Sequence, residues 1–510
     1  MNDGHGGDPD GRTATERTPP DRAACRRWCA ETSARWRAGD AAGARMAIDS
    51  AEQAAGDDPG LLVEALAARS TLHIRTEEYD RAAEAARHCL RIAESLRRLT
   101  RRQILAVLHA RVSRGTVLAS DGAPVHSRRA APAPTSAARR ADGLAELDEV
   151  AAHPAADRDV VDRAVNNALV ARLWTVRRRV TDGAAQVDAW LWVARARDVA
   201  GRRGSRGLIV RQAVDLAVHT GQWERGWDHL TDQLDHEERR SEQVALAAKG
   251  AQLAWSRGDL VAARRLGQRA LTASTGVDVV WSRLYGHLGG LIAAAAGAGP
   301  VTAALTAYAR CVDQAGHESR ENRAWEAAQT ALEAGRSATE VRAWLARLLP
   351  RGIRDDRLRA LADLVLSDHA GHAPDPATWA AVDVESLGAV DRARCLSARG
   401  RAALRAGRET AAMVDLQAAR LALRDWPGRV RDEVDATAAA LLDPPDVTAA
   451  QARVLDLLVE GMGNQRIAEE LGCAERTVAV HVSRLLHATG APTRTRLAVR
   501  EIRRRMMTAG

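Results

Sequence analysis

The sequence predicts an all-α protein, with an α-solenoid of helix hairpins over residues 21–442 and a small four-helix domain over residues 447–510. Apolar residues recur at spacings of three and four, which is typical of helices with one buried face. Alternating runs of β-branched residues, which would indicate strands, are missing. Breaks that contain glycine separate the helical segments at regular intervals.

The composition is that of a globular chain with more than one domain. The chain has 510 residues, of which 46% are hydrophobic and 27% are charged, and its formal net charge is +8. This basic balance permits a nucleic-acid partner without requiring one. Six dispersed cysteines suit a reducing cytoplasm. No signal peptide and no long apolar run occurs, so we expect a cytoplasmic protein without a membrane partner.

The spacing of the glycines predicts a helical repeat array. Successive breaks are 38, 37, 39, 38, 36 and 36 residues apart, at Gly183, Gly221, Gly258, Gly297, Gly335, Gly371 and Gly407. Near the amino terminus, Gly39 and a break at Glu77 are also 38 residues apart. In such arrays each hairpin buries its apolar face only by packing on its neighbours.

Several units loosely resemble the tetratricopeptide repeat. An alanine follows the glycine of the break by twelve residues in three of them, as Ala51, Ala270 and Ala419. The resemblance implies pairs of helices and a role in binding a partner. In a chain that has no Phe, the 13 Trp residues are expected to fill the core, and the alternative is that some of them line a ligand groove.

Three segments interrupt the helical pattern. Residues 1–20 are expected to form a disordered tail. Residues 115–143 are rich in Pro, Ala and Arg, and we interpret them as a mobile loop or a linker. Residues 443–446 read Asp-Pro-Pro-Asp and predict a hinge before the C-terminal domain.

The C-terminal segment predicts two short helices joined by a glycine turn, followed by a third and a fourth helix. Thr448 and Gln451 have the spacing of a capping box, and Gly461 and Gly472 are placed to end the first two helices. The third helix, about 475–489, has an apolar back and a polar front. A helix of this kind, preceded by a short helix and a turn, is the geometry that places one helix in a major groove of DNA.

The residues expected to contact DNA fall into two groups. On the third helix, side chains at helical spacing are expected to contact bases or phosphates, namely Arg476, Thr477, Val480, His481, Ser483, Arg484 and His487. For His481, packing and phosphate contact are equally supported. Around the start of the second and fourth helices, phosphate contacts are expected from Asn464, Gln465, Arg466, Arg494 and Arg496, with more cations at Arg500, Arg503, Arg504 and Arg505.

This segment resembles the LuxR-type (FixJ- or GerE-type) DNA-binding domain. The resemblance is carried by Thr448, Val454-Leu455, Glu460-Gly461, Asn464, Ile467-Ala468, Leu471-Gly472, Thr477-Val478, His481-Val482, Leu485-Leu486, Gly490 and Arg494-Thr495. It implies a bacterial transcription regulator that binds double-stranded DNA. Ala474 stands where the family has a capping Ser, so we expect weak half-site binding that relies on dimerisation or additional arginines.

Other functions find no support in the sequence. No GxxxxGK[ST] or HExxH motif is present, and the chain has a single lysine, so no enzyme, cofactor or metal site is expected. The expected partners are DNA, a protein or a second copy bound by the repeats, and RNA polymerase. The alternatives are an interaction scaffold with a degenerate DNA-binding domain and a sigma-factor-like subunit. The latter would need a promoter-melting domain where the repeats stand.

Overall fold

A computed structural model gives the fold of the chain. It describes residues 19–508 except for positions 77, 121–133, 178–182, 204–205, 238, 278, 313–316, 373–378, 380–381, 383 and 443–446. Every regular element among the described residues is helical, as the sequence predicts. No described helix combines the length and apolar character needed to cross a membrane. The predicted hinge, and all but the last two residues of the predicted tail, lie outside the described residues.

In the part of the chain that the structure describes, twenty α-helices precede the C-terminal domain. In chain order they are α1 Arg22–Ala38, α2 Ala41–Ala55, α3 Pro59–Arg75, α4 Tyr79–Ser95, α5 Arg101–Ala119, α6 Pro134–Ala152, α7 Arg158–Arg177, α8 Gly183–Arg203, α9 Arg206–Thr220, α10 Trp223–Leu234, α11 Arg240–Arg257, α12 Leu260–Ser274, α13 Val280–Ala293, α14 Val301–Val312, α15 His317–Glu333, α16 Ala338–Leu348, α17 Asp356–His369, α18 Ala389–Arg405, α19 Glu409–Ala422 and α20 Arg429–Leu442. A π-helical turn, Ala294–Ala298, follows α13, and a 3₁₀ turn, Val384–Ser386, precedes α18.

The chain divides into two units, and the division runs through α7 and α8. The first unit comprises Met1–Ala171 and Val199–Ser205, and the second comprises Arg172–Asp198 and Arg206–Gly510. In the first unit α1 packs on α2, α3 on α4, and α5 on α6. In the second unit α9 packs on α10, α11 on α12, and α18 on α19. Consecutive helices therefore form hairpins in both units.

The repeat pattern has a packing basis. Gly258 and Gly407 adopt left-handed backbone conformations, with φ of 83° and 68°, which glycine reaches without the steric penalty of a Cβ atom. The alanines twelve residues later, Ala270 and Ala419, have no exposed surface. Of the seven glycines in the predicted series, positive φ values occur at Gly221, Gly258, Gly297, Gly335, Gly371 and Gly407. Gly183 instead begins α8.

The prediction of a loop over residues 115–143 is wrong at both ends of this segment. Helix α5 continues to Ala119 and α6 begins at Pro134, while residues 121–133 lie outside the described part. Gly115 and Gly143, at the two ends of this segment, lie inside α5 and α6 and allow these helices to approach closely. A Cβ atom on Gly143 would lie 2.7 Å from the carbonyl oxygen of Gly115 and 2.4 Å from the amide nitrogen of Ala119.

Tryptophans contribute to the core of the second unit. Among the residues whose burial the structure describes, five indoles are buried, at Trp223, Trp255, Trp325, Trp344 and Trp426. Arginines cover two of them: the guanidinium carbon of Arg257 lies 4.1 Å from the ring centre of Trp223, and that of Arg429 lies 4.7 Å from the ring centre of Trp255. The core role predicted for the Trp residues therefore holds at these positions.

Candidate nucleic-acid interface

The C-terminal domain has an apolar core of its own. Its helices are α21 Ala449–Val459, α22 Asn464–Leu471, α23 Glu475–Thr489 and α24 Arg494–Thr508. All four contribute to one cluster of buried side chains, Val454, Leu455, Leu458, Ile467, Ala468, Val478, Val482, Leu485, Ala491 and Leu497. Burial of about ten apolar side chains fixes the angle between α22 and α23.

Local signals in the sequence set the ends of these helices. The Thr448 hydroxyl accepts a hydrogen bond from the Gln451 amide at 3.3 Å, and the Gln451 side chain accepts one from the Thr448 amide at 2.8 Å. This is the predicted capping box. Gly461 and Gly472, with φ of 84° and 63°, follow α21 and α22 and allow the chain to turn. Ala474 precedes α23 and makes no side-chain cap, as its methyl group dictates.

Helix α23 presents one continuous polar face to solvent. Val478, Val482 and Leu485 point into the core. The exposed side chains at helical spacing are Arg476, Val480, Ser483, Arg484 and His487, and Thr477 beside them is also exposed. Within the described part of the chain, neither arginine forms an ion pair. Both guanidinium groups of this face are therefore free to bind an anion or a base edge.

His481 lies at the edge of this face. Its side chain is half-buried, and its Nδ1 atom has no exposed surface and no hydrogen-bond partner among the described residues. The sequence leaves open whether His481 packs in the core or contacts a phosphate. The burial of Nδ1 shows that this side of the ring is packed against the protein.

Helix α22 offers one unpaired cation at its start. Arg466 is exposed and makes no ion pair with any described residue. The amide nitrogen of the exposed Gln465 side chain donates to Glu469 at 3.2 Å. Asn464 is half-buried and accepts a 3.1 Å hydrogen bond from Arg494. Of the three predicted residues on α22, Arg466 is the one most available to a phosphate.

Arg494 has an intradomain role that the sequence does not reveal. Besides Asn464, its guanidinium group contacts the carbonyl oxygen of Met462. These two hydrogen bonds connect the first turn of α24 to the turn before α22. Arg496, two residues later, is exposed and makes no side-chain ion pair with the described residues. The phosphate contact predicted for this pair therefore fits Arg496 better than Arg494.

Three other arginines expected to neutralise the DNA backbone are engaged within the protein. Arg500 donates to the carbonyl oxygen of Thr489 at 2.8 Å. Arg504 and Arg505 both pair with the buried Glu501, at 2.6 Å. Hydrogen bonds from these two arginines outweigh the effect of burial and lower the pKa of Glu501. Of the cations predicted on α24, Arg496 and Arg503 remain exposed and free of ion pairs with described residues.

Helix α24 also packs against α19 and α20 of the repeats. Of the aliphatic residues Leu497, Val499 and Ile502 on this helix, Leu497 is buried, while Val499 and Ile502 are each 37% exposed. Among the described residues, Arg476 and Arg484 on α23 are both exposed.

Comparisons with known proteins agree with this geometry at the carboxyl end. No curated protein matches the sequence. The structure is similar to that of the human IFIT1 dimer with m7Gppp-AAAA, at 12% identity and a TM-score of 0.34, over 83% of this chain and 94% of that chain. Residues 447–500 match the model of the luxR family of bacterial regulatory proteins, named GerE. The C-terminal domain of this chain is accordingly a luxR-family helix-turn-helix domain.

Proposed function

We propose that this protein is a transcription regulator that binds specific double-stranded DNA sequences through its C-terminal domain. Helix α23 enters the major groove, where Arg476, Arg484 and Ser483 contact base edges and Val480 contacts a thymine methyl group. Arg466, Arg496 and Arg503 contact phosphates. The observation that carries this proposal is the exposed face of α23, whose two arginines lack ion pairs among the described residues.

The helical repeats receive the signal in this proposal. They bind a small molecule, a protein or a second copy of the chain, and thereby control how two C-terminal domains reach a two-fold operator. Half-sites about one helical turn of DNA apart match two such domains. Contact of the bound regulator with RNA polymerase belongs to the same proposal.

The test is a binding titration with an operator selected by the full-length protein from random DNA. Arg476→Ala and Arg484→Ala are each expected to weaken specific binding by about 1–3 kcal/mol, or roughly 5- to 150-fold in Kd, because each removes a base contact. Arg453→Ala is the matched control, since Arg453 is an exposed arginine on α21. Unchanged affinity of both α23 variants would refute the assigned face.

The second candidate is an interaction scaffold whose C-terminal domain only contacts DNA weakly. The missing cap at Ala474 favours it, because an uncapped helix start frays more readily. Salt and sequence dependence separate the two candidates. A specific reader keeps a large preference for its operator over random DNA at about 150 mM salt, whereas a weak contact loses all affinity without any sequence preference.

A further inference from the structure

Three helices of the first unit bring a group of polar side chains together. Helices α3 and α5 pack against each other. Helix α7 is joined to α5 by a 2.9 Å hydrogen bond from the Asn167 amide group to the Thr116 hydroxyl. Arg163 of α7 extends between α3 and α5, so side chains from three helices meet at its guanidinium group.

The guanidinium group of Arg163 is only partly satisfied. Its Nη1 donates to the Thr71 hydroxyl at 3.2 Å and to His109 Nδ1 at 2.7 Å. Its Nη2 has no exposed surface and no hydrogen-bond partner in the described part of the chain. A buried donor on a charged group is costly to leave without an acceptor. A bound acceptor at Nη2 would remove this cost.

His109 offers a second donor at the same place. Because its Nδ1 accepts from Arg163, the neutral ring carries its proton on Nε2. Burial, and then the charge of Arg163, lower the pKa of His109 to about 4, so the ring stays neutral near pH 7. Its Nε2 makes no hydrogen bond to any described residue. The ring thus presents an unused N–H donor beside the guanidinium group.

A second arginine adds positive charge without a bonded carboxylate. Arg75, at the end of α3, is half-buried and forms neither an ion pair nor a hydrogen bond through its side chain with the described residues. Burial, and then the charge of Arg75, lower the pKa of Arg163 to about 10. The charge of Asp159 raises the pKa of both Arg75 and Arg163. Its carboxylate is exposed, however, and forms no ion pair with either arginine.

Interior cations of the second unit are arranged differently. Lys249 Nζ lies 2.8 Å from Asp215 Oδ1, and Arg323 Nη1 lies 2.7 Å from Glu326 Oε2. Each of these cations has a carboxylate of its own, as is usual for charges taken out of water. The cluster of Arg75, His109 and Arg163 lacks such a partner, although it contains two cations and a free N–H donor.

We propose that Arg163, Arg75 and His109 form a binding site for a small oxyanion, the phosphate or carboxylate group of a metabolite. Guanidinium groups bind both anions through paired N–H bonds, and the Nε2–H of a neutral histidine supplies a third donor. Under the proposed function this ligand is a signal received by the repeats. The site itself does not depend on DNA binding, so its test uses no DNA.

The test is calorimetric titration of the full-length protein with inorganic phosphate and, separately, with citrate, at constant ionic strength. Saturable binding of one of them identifies the preferred oxyanion. Arg163→Gln and Arg75→Gln are each expected to weaken that binding at least about tenfold. The control is Arg158→Gln, which removes an exposed arginine of the same helix, α7, and is expected to leave affinity unchanged.

A thermal melt distinguishes loss of the site from loss of folding. Without anion, Arg163→Gln is expected to melt no lower than the unmodified protein, because it removes an incompletely paired buried charge. The anion is expected to raise the melting temperature of the unmodified protein and not that of Arg163→Gln. Absence of saturable binding to either anion, or equal affinity of the unmodified protein and both variants, would overturn the proposal.

Discussion

Arg494 Nη1 donates a 3.1 Å hydrogen bond to Asn464 Oδ1, and the same guanidinium group contacts the carbonyl oxygen of Met462. This pairing joins the start of α24 to the turn that precedes α22. Both residues belong to the pattern by which the sequence resembles LuxR-type domains, and both were expected at phosphates. Their mutual contact gives them a structural reason to be present that does not involve DNA.

Arg494→Ala is therefore expected to loosen the C-terminal domain. It removes hydrogen bonds from a charged group, which typically contribute about 1.5–3 kcal/mol each. Amide hydrogen exchange in α22 should accelerate at least about tenfold in the full-length protein. Arg496→Ala, which removes an exposed arginine of the same helix, is the control and should leave exchange unchanged. Equal exchange in Arg494→Ala and the unmodified protein would contradict the structural role.

The exposed cations Arg466 and Arg496 should contribute equally to the affinity for specific and for random DNA. Each is free of ion pairs with described residues, so each is expected to release about one counterion from DNA when it binds a phosphate. Arg466→Ala and Arg496→Ala should each weaken binding to specific and random DNA alike and reduce the slope of log K against log salt by about one. If the variants weakened binding to the operator and not to random DNA, these residues would instead contact bases.

Ala474→Ser is expected to stabilise the start of α23. The serine hydroxyl would accept a hydrogen bond from an amide of the first turn, which is worth on the order of 1 kcal/mol at a helix start. Exchange of the Thr477 and Val478 amides should slow about fivefold, and operator affinity should rise because less of the domain is frayed. Ala474→Val, which also lacks a capping oxygen, serves as the control and should give no protection.

Gly143→Ala should destabilise the first unit, although alanine normally favours a helix over glycine. The added Cβ atom would meet backbone atoms of α5 at 2.4 Å and 2.7 Å, which cannot move aside as a side chain can. Overpacking of this kind costs about 1–3 kcal/mol. Gly290→Ala is the comparison, because its added methyl group would meet only the flexible Leu271 side chain, at 3.1 Å. Urea unfolding measures both.

The stability of the first unit should decrease as pH falls from about 6.5 to about 4. The ordinary pKa of histidine is about 6.5, whereas burial lowers the pKa of His109 to about 4 in the folded chain. Between these pH values the unfolded chain binds the proton and the folded chain does not. The contribution of the neutral His109 ring to stability is therefore fully present above pH 6.5 and is lost progressively as the pH falls towards 4. The loss is at most roughly 3 kcal/mol.

Melting curves near pH 7 and pH 5 test this pH dependence. His109→Gln should show a smaller difference between the two conditions than the unmodified protein, because glutamine does not titrate. His88→Gln provides the control, since His88 is exposed on α4 of the same unit. If His109→Gln kept the full difference between the two conditions, other groups would be responsible for it.

The sequence predicts the helical class and the C-terminal domain well because both depend on local rules. The capping box of Thr448 and Gln451, the glycines that end α21 and α22, and the period of α23 each act over a few residues. The inward face of α23 follows directly from this period. In the fourth helix residue type is a poorer guide to burial, because Val499 and Ile502 are aliphatic but exposed.

The role of a glycine cannot be predicted from its neighbours in the sequence alone. Gly258 and Gly407 act as breaks, as predicted, whereas Gly115 and Gly143 lie inside helices and allow α5 and α6 to approach closely. The residue type is identical in both cases. Whether a glycine provides a positive φ or space for a neighbouring helix depends on which segment packs against it, and that segment lies elsewhere in the chain.

The sequence by itself determined that this chain is a run of helix hairpins ending in a luxR-family domain, because helix periods, caps and glycine spacing are properties of nearby residues. Only the tertiary structure decided which arginines are free. Arg494, Arg500, Arg504 and Arg505 are engaged within the protein, while Arg476 and Arg484 are exposed. The contact of Arg163 with His109, and the effect of the Arg75 charge on Arg163, were likewise hidden, because such interactions depend on distance in space between residues far apart in sequence.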